Sequence, residues 1–270
     1  MSAAHLTLDK TAKSYRLYTL GEYGIVLEID DTSVYANTIA AQRSLISFAD
    51  SLRAAVKASS VTNSHDSDTL HLNQLLASIT DIVPAQLNLT IALCPARLHT
   101  QRDLNDCTQL IERWWIQHSN TLNDNTNNNT DNSASTDART IRVPVVYGGE
   151  DTDLTSLADT LNLSPEEIID LHSSAQYHVM FLGFQPGFAY LHGLANTLQV
   201  PRRITPRSHV RAGSLAISGE MTAIYPFASP GGWQIIGRLS TQAPSLFDSQ
   251  REAATLFKAG DRVEFIAVEN

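Results

Sequence analysis

A chain of 270 residues with 43% apolar and 17% charged side chains has material for one large or two ordinary globular domains, and lacks the composition of a disordered protein. Its formal net charge of -9 argues against nonspecific nucleic-acid binding, and no apolar run approaches the length of a membrane span. Two cysteines, Cys94 and Cys107, make neither a disulfide framework nor a zinc set, and the opening Met1-Ser-Ala-Ala-His lacks the layout of an export signal, so a cytoplasmic location is expected.

The first part of the chain reads as α+β. Strand-like segments between 15 and 30 flank a turn at Leu20-Gly-Glu-Tyr-Gly24. From 33 to 57, Val34, Ile39, Leu45, Ile46, Phe48, Ala49 and Leu52 form a rough helical stripe. A polar loop follows, then a second helix over 70–79 and a buried strand over 87–93. Residues 103–118 form another helix, with Leu104, Leu110, Ile111, Trp114 and Trp115 on its apolar face. No residue set here has the spacing of a catalytic motif, and a packed scaffold or interaction domain is the expectation for 1–118.

Between 119 and 140 the sequence holds a single Leu and no aromatic residue. Such a stretch buries too little apolar surface to offset its ordering entropy, so a flexible linker or insertion is expected. The domain over 141–270 then opens with the strand Ile141-Arg-Val-Pro-Val-Val-Tyr147. Leu154, Leu157, Ala158 and Leu161 follow at helical spacing. Ser164-Pro165-Glu166-Glu167 offers an N-cap serine, a proline at the first helical position and a capping-box glutamate. Short β-like runs over 178–184, 214–218, 222–227, 233–239 and 263–268, separated by Gly and Pro, predict a barrel or sandwich.

Charge placement locates the expected chemistry. From Leu171 to Gly219 there is no Asp or Glu, while Arg202, Arg203, Arg207 and Arg211 fall inside that window with His172, His178, His192 and His209. The planar guanidinium fork suits carboxylates and phosphates, so unneutralised forks would favour a small anionic ligand. No Walker-type phosphate loop, no H-E-x-x-H metal motif and no G-x-S-x-G elbow occurs, and nothing places a base beside Ser214, Ser218 or Ser229. From the residues alone the reading ends at an anion-binding, β-rich domain attached to an α+β domain.

A block of motifs extends it. Gly183-Phe-Gln-Pro-Gly-Phe-Ala-Tyr190-Leu-His-Gly-Leu194, then Pro201-Arg-Arg-Ile-Thr-Pro-Arg207, Ala212-Gly-Ser214, Ile224-Tyr-Pro226, Ser229-Pro-Gly-Gly-Trp233 and Ile236-Gly-Arg238 resemble, in order, the allophanate hydrolase subunit 1 family. Val146-Tyr-Gly-Gly-Glu150 and the helix from Leu163 to His172 also fit, and the front half agrees through Leu20-Gly-Glu-Tyr. Departures are Val210-Arg-Ala-Gly-Ser214, where the family has V-P-A-G-S, and Met221-Thr-Ala-Ile-Tyr-Pro226, where Q-T-G-I-Y-P is common.

The resemblance implies an α+β N-terminal domain followed by a mainly β, cyclophilin-like barrel. It also implies a hydrolase subunit that is inactive alone, in a complex using ATP to open the lactam of 5-oxo-L-proline. Its partners would be an A subunit and a C subunit of the allophanate hydrolase subunit 2 family; which subunit binds ATP is left open. Arg207 and His209 are then the candidate catalytic residues. Arg202, Arg203, Tyr190, Tyr225, Gly231, Gly232 and Trp233 are candidate substrate contacts, with Phe184 and Phe188 expected in the core. No metal site or prosthetic group is expected in this chain. The family also offers a regulatory protein that inhibits a sensor histidine kinase, or a component of urea-degrading enzymes.

Overall fold

The computed structural model describes residues 14–30, 38–59, 67–98, 100–126 and 139–269. The chain divides into two compact units, Met1–Ser133 and Ala134–Asn270.

In the first unit an antiparallel sheet is ordered β1-β2-β4-β3, from β1 (Tyr15–Thr19), β2 (Gly24–Ile29), β3 (Ile79–Pro84) and β4 (Asn88–Leu93). Three helices pack on it: α1 (Thr38–Ser59), α2 (Ser67–Ser78) and α3 (Gln101–Thr126). Helix α1 buries Ala41, Leu45, Phe48, Ala49 and Leu52, the i, i+4, i+7, i+8, i+11 spacing of a helix with one core face. Trp115 of α3 is buried against Phe48, edge to face at 5.4 Å. Strand β3 escapes the sequence reading because Ile79 is followed by Thr80-Asp81, which breaks the period-2 signal, and a bulge falls at that point. Helix α3 runs past 118 into the polar stretch, since an anchored helix gains one hydrogen bond per added residue. Positions 127–138 of the expected linker and 33–37 of the expected first helix lie outside the described residues.

The second unit is a closed barrel ordered β10-β7-β6-β13-β5-β12-β9. Its strands are β5 (Thr140–Tyr147), β6 (Tyr177–Leu182), β7 (Ala189–His192), β9 (Ser214–Ser218), β10 (Met221–Ile224), β12 (Gln234–Leu239) and β13 (Arg262–Ala267). Two short strands, β8 (Arg207–Val210) and β11 (Ser229–Gly231), form a separate antiparallel ribbon. The α+β first unit and mainly β second unit are the fold class expected from the sequence.

Side-chain alternation gives the barrel wall two apolar faces. One cluster draws on all seven strands: Val143, Tyr177, Leu191, Leu215, Ile224, Ile236 and Val263 all belong to it, as the interior of a closed barrel requires. Helices α4 (Leu154–Leu161) and α5 (Pro165–Ser173) add Leu157 and Ile168 to that cluster. The capping box at the start of α5 is formed: Glu167 N–H donates to Ser164 Oγ (3.1 Å) and Ser164 N–H to Glu167 Oε2 (2.7 Å). On the other face Ala216, Met221, Ala223 and Ile235 pack with Phe188, Val210, Tyr225 and Trp233. Val210 belongs to β8, so the ribbon is fastened to this second face.

Candidate functional site

The candidate residues converge on that second face. The segment from Pro201 to Pro206 leads into β8, and Arg203 N–H donates to the Gly232 carbonyl (2.7 Å), holding the arginine run against the turn that follows β11. Gly231 pairs with Arg207 across the ribbon. A Cβ at Gly231 would fall 2.5 Å from the Tyr225 hydroxyl, so only glycine lets the ribbon approach that ring. At Gly232 a Cβ would meet Pro206 and Arg202 no nearer than 3.6 Å, and space there does not demand glycine.

Two of the arginines share one buried carboxylate. Asp153 is 4% exposed. Arg207 grips it with both ends of its fork, Nη1 to Oδ2 at 2.9 Å and Nη2 to Oδ1 at 2.7 Å, while Arg203 Nη1 donates to Oδ1 at 2.5 Å. The Ile235 N–H adds a fourth bond to Oδ2 (2.7 Å), and the Asp153 N–H donates back to the Ile235 carbonyl (2.6 Å). Asp153 sits at the N-cap of α4 but makes no capping bond with its side chain. The expectation of unneutralised forks is therefore corrected for Arg203 and Arg207: their partner stands just upstream of the acid-free window. Arg211 pairs with Asp151 at 2.8 Å, both side chains being exposed. Arg202 is exposed and faces no carboxylate among the described residues. Two guanidiniums share one carboxylate and a third has none, which leaves the site net positive.

Beside the arginines lies an aromatic cluster. Phe181 and Tyr190 stack at 4.3 Å; Phe188 stands edge-on to Tyr225 (5.4 Å) and Trp233 (6.0 Å), and Tyr190 to Trp233 (5.9 Å). Tyr225, Trp233 and Phe188 are buried, so they make the floor of the cluster; Tyr190 is partly exposed. Burial raises the Tyr190 hydroxyl pKa, and the Arg202 charge opposes it. Burial also raises Tyr225, opposed by a hydrogen bond from the Trp233 backbone and by the charges of Arg202 and Arg207. Arg202 thus lies within electrostatic reach of both phenols.

Phe184 departs from its expected place in the core. It is 61% exposed and has a backbone φ of 67°, one of two non-glycine residues with positive φ among those described. Two turns in succession hold it there. Gln185 N–H donates to the Gly183 carbonyl (2.7 Å), closing a three-residue turn about Phe184 of the rarer, positive-φ γ form. Phe188 N–H then donates to the Gln185 carbonyl (3.0 Å), with Pro186 and Gly187 (φ 82°) at the central positions of a type II turn. The Phe184 ring stands edge-on to Phe188 at 5.3 Å and to Tyr225 at 6.3 Å, at the rim of the cluster. His209, two residues along β8 from Arg207, is exposed.

Asp153 and Phe184 are the residues sequence reasoning missed. No local signal in the sequence joins Asp153 to the arginines; for Phe184, the Pro186-Gly187 pair that suits a type II turn directly after it was the available signal.

A second polar group of this unit is sealed. His172 of α5 is fully buried against Tyr147, Tyr177 and Phe265. Thr222 donates its hydroxyl proton to the Ala216 carbonyl (3.0 Å), so it can only accept from His172 Nε2 (2.9 Å). His172 Nδ1 then accepts from the Tyr147 hydroxyl (2.7 Å). Burial pushes the imidazole down to about 3, and it is neutral at ordinary pH.

Two concavities are lined by residues other than the arginine and aromatic cluster. One, of about 600 Å³, is lined by Leu171, Phe265 and Ile266, and another, of about 370 Å³, by His71, Leu75 and Arg97. Among the described residues no three His, Cys, Asp or Glu side chains gather as metal ligands, and no helix is long and apolar enough to cross a membrane.

Comparison with known proteins bears on this arrangement. The chain matches the family described as "Carboxyltransferase domain, subdomain C and D" over residues 34–257. It is 38% identical to the 5-oxoprolinase B subunit of Escherichia coli O157:H7 over 192 residues, 71% of this chain and 79% of that protein. To the protein of the same name from Haemophilus influenzae it is 52% identical over 129 residues, 47% of this chain and 59% of the relative. To that of Bacillus subtilis it is 44% identical over 131 residues, 48% and 53% of the two chains. The crystal structure of TTHA0988 superposes with a TM-score of 0.63 at 29% identity, over 92% of this chain but only 40% of that one. K. lactis urea amidolyase, at 16% identity and a TM-score of 0.60, covers 97% of this chain with 15% of its own and shares the fold. The chain belongs to the carboxyltransferase subdomain C and D family, which is the allophanate hydrolase subunit 1 family that its motifs resemble.

Proposed function

We propose that the chain is the B-type subunit of a 5-oxoprolinase complex, which hydrolyses the lactam of 5-oxo-L-proline to L-glutamate at the expense of ATP. The observation that carries this reading is the similarity to the E. coli 5-oxoprolinase B subunit, which extends over 79% of that protein. The geometry is in keeping with it. A net-positive arginine cluster beside aromatic rings suits a small carboxylic acid, and negative charge that grows as the lactam is activated would be stabilised by fixed guanidiniums.

In this reading the substrate lies against Arg202, Tyr190 and the Gly231-Gly232 turn, over Tyr225 and Trp233. Arg203 and Arg207 keep the positive field in place through Asp153. His209 is the group on the ribbon suited to proton transfer. The partners are an A subunit and a C subunit of the allophanate hydrolase subunit 2 family; ATP is consumed by the complex. The complex works in the cytoplasm.

The test is 5-oxoproline-dependent ADP release by the purified chain alone and then mixed with its candidate A and C subunits. Release in the full mixture and not with the chain alone is expected. No release from a folded, associated mixture would sink the proposal.

A further inference from the structure

Among the three arginines of the site, two are tied to Asp153 and one is not. Arg207 gives both ends of its fork to Asp153 and Arg203 gives it one, so the two carboxylate oxygens already receive four hydrogen bonds counting the Ile235 amide. Arg202, next in sequence to Arg203, turns outward instead. It makes no ion pair with a carboxylate among the described residues, and a Cβ built on Gly232 would lie 3.9 Å from its own Cβ, which sets it beside the turn that follows β11.

Phe184 is the second unexplained feature. A phenylalanine in the left-handed region is strained, and an exposed ring gains little burial in return. The two successive turns that hold it fix the ring at the rim, edge-on to Tyr225. Tyr225 links the two: its ring meets Phe184 edge-on, and its hydroxyl lies against Gly231, next to the Gly232 that adjoins Arg202. A ligand that touches both carries a negative group for the guanidinium and a flat apolar body for the ring.

We infer that Arg202 and Phe184 are the pair that contacts the ligand, Arg202 taking the carboxylate of a small cyclic acid and Phe184 covering its ring, while Arg203 and Arg207 act as positioning residues through Asp153. The identity of the acid as 5-oxo-L-proline rests on the function proposed above; its class rests on the charge of Arg202 and the exposed ring of Phe184. Arg207, expected from the sequence to act on the substrate directly, is here a residue that shapes the site.

The test is calorimetric titration of the full chain with three probes: 5-oxo-L-proline, cyclopentanecarboxylate and 2-pyrrolidinone, the last lacking the carboxylate. Wild type should bind both acids and bind 2-pyrrolidinone far more weakly. Arg202→Gln should weaken both acids about tenfold or more, the loss of one charge-assisted fork, without changing the response to 2-pyrrolidinone. Phe184→Ala should weaken both acids, and Phe184→Tyr should restore them. Both positions are exposed, and unchanged circular dichroism and melting would show that the fold is kept. Wild-type affinity for both acids in Arg202→Gln and Phe184→Ala would overturn the inference, as would failure of wild type to bind either acid.

Turnover of the reconstituted complex separates the two claims. Binding that follows this pattern without any turnover would remove the oxoprolinase reading and leave the ligand class standing. Turnover with an unmoved KM for 5-oxo-L-proline in both variants would do the reverse.

Discussion

Two polar clusters of the same barrel unit have opposite designs. The one around His172 is neutral and fully buried, and each hydrogen-bonding group described in it has a partner: Tyr147 for Nδ1, Thr222 for Nε2, and the Ala216 carbonyl for the Thr222 proton. The one around Arg202, Arg203 and Arg207 is charged, open on one side, and has more guanidinium than its carboxylate can neutralise. Both contain a histidine or arginines with aromatic neighbours, and a reading by residue type alone would treat them alike. What distinguishes them is saturation. A polar group whose capacity is filled from within stabilises the barrel; an exposed cation with no carboxylate partner is available to a ligand.

The comparison breaks first at Asp153, the joint between structure and site. Asp153→Ala leaves two partly buried guanidiniums without their shared partner and should lower the stability of this unit by about 3–5 kcal/mol, the range for breaking one side of a buried ion pair. Urea denaturation followed by circular dichroism measures it. A loss comparable with that of an exposed pair would mean that the arginines are not anchored there.

The sealed cluster sets the next largest effect, through pH. The folded His172 titrates near 3 and the unfolded imidazole near 6.5, so the unfolded chain binds more protons between those values and stability falls as pH falls. Between pH 7 and pH 5 the wild-type unit should lose about 2 kcal/mol from this residue. The stability of His172→Gln should change correspondingly less over that interval, and parallel curves for the two proteins would show that the imidazole is not held neutral.

Phe184→Gly sharpens the contrast from the other side. Relief of the left-handed backbone should offset the lost ring contacts, leaving thermal stability equal to wild type or raised by up to about 1 kcal/mol. Acid binding should fall in the same variant. A marked drop in melting temperature would identify Phe184 as a packing residue. The smallest effect belongs to the exposed Arg211–Asp151 pair: Arg211→Gln should change stability by less than about 1 kcal/mol and leave ligand binding untouched.

The sequence reading reached the barrel and the arginine run, and missed how Asp153 joins Arg203 and Arg207. The capping box at Ser164 was legible because it is a local contact between residues three apart. Strands β9, β12 and β13 were legible through their apolar runs. Strand β7 was hidden within the glycine-rich block, and β8 and β11 were hidden because ribbon residues such as Arg207, His209 and Pro230 carry no apolar alternation. The acid-free window drew attention to Arg202, Arg203 and Arg207. It could not sort them, because their partner Asp153 lies some fifty positions upstream and is brought near only by closure of the barrel. Phe184 was assigned to the core by its residue type, and the turn that exposes it depends on backbone geometry that a propensity reading does not carry.

The most direct test is a nitrogen-15 NMR titration of the full chain with 5-oxo-L-proline. Shifts should concentrate at the backbone amides of Phe184, Arg202 and Gly232 and at the Trp233 indole, while those of His172 and Thr222 stay still. Shifts centred on His172 and Thr222, or none at Phe184 and Arg202 at saturating acid, would contradict the account.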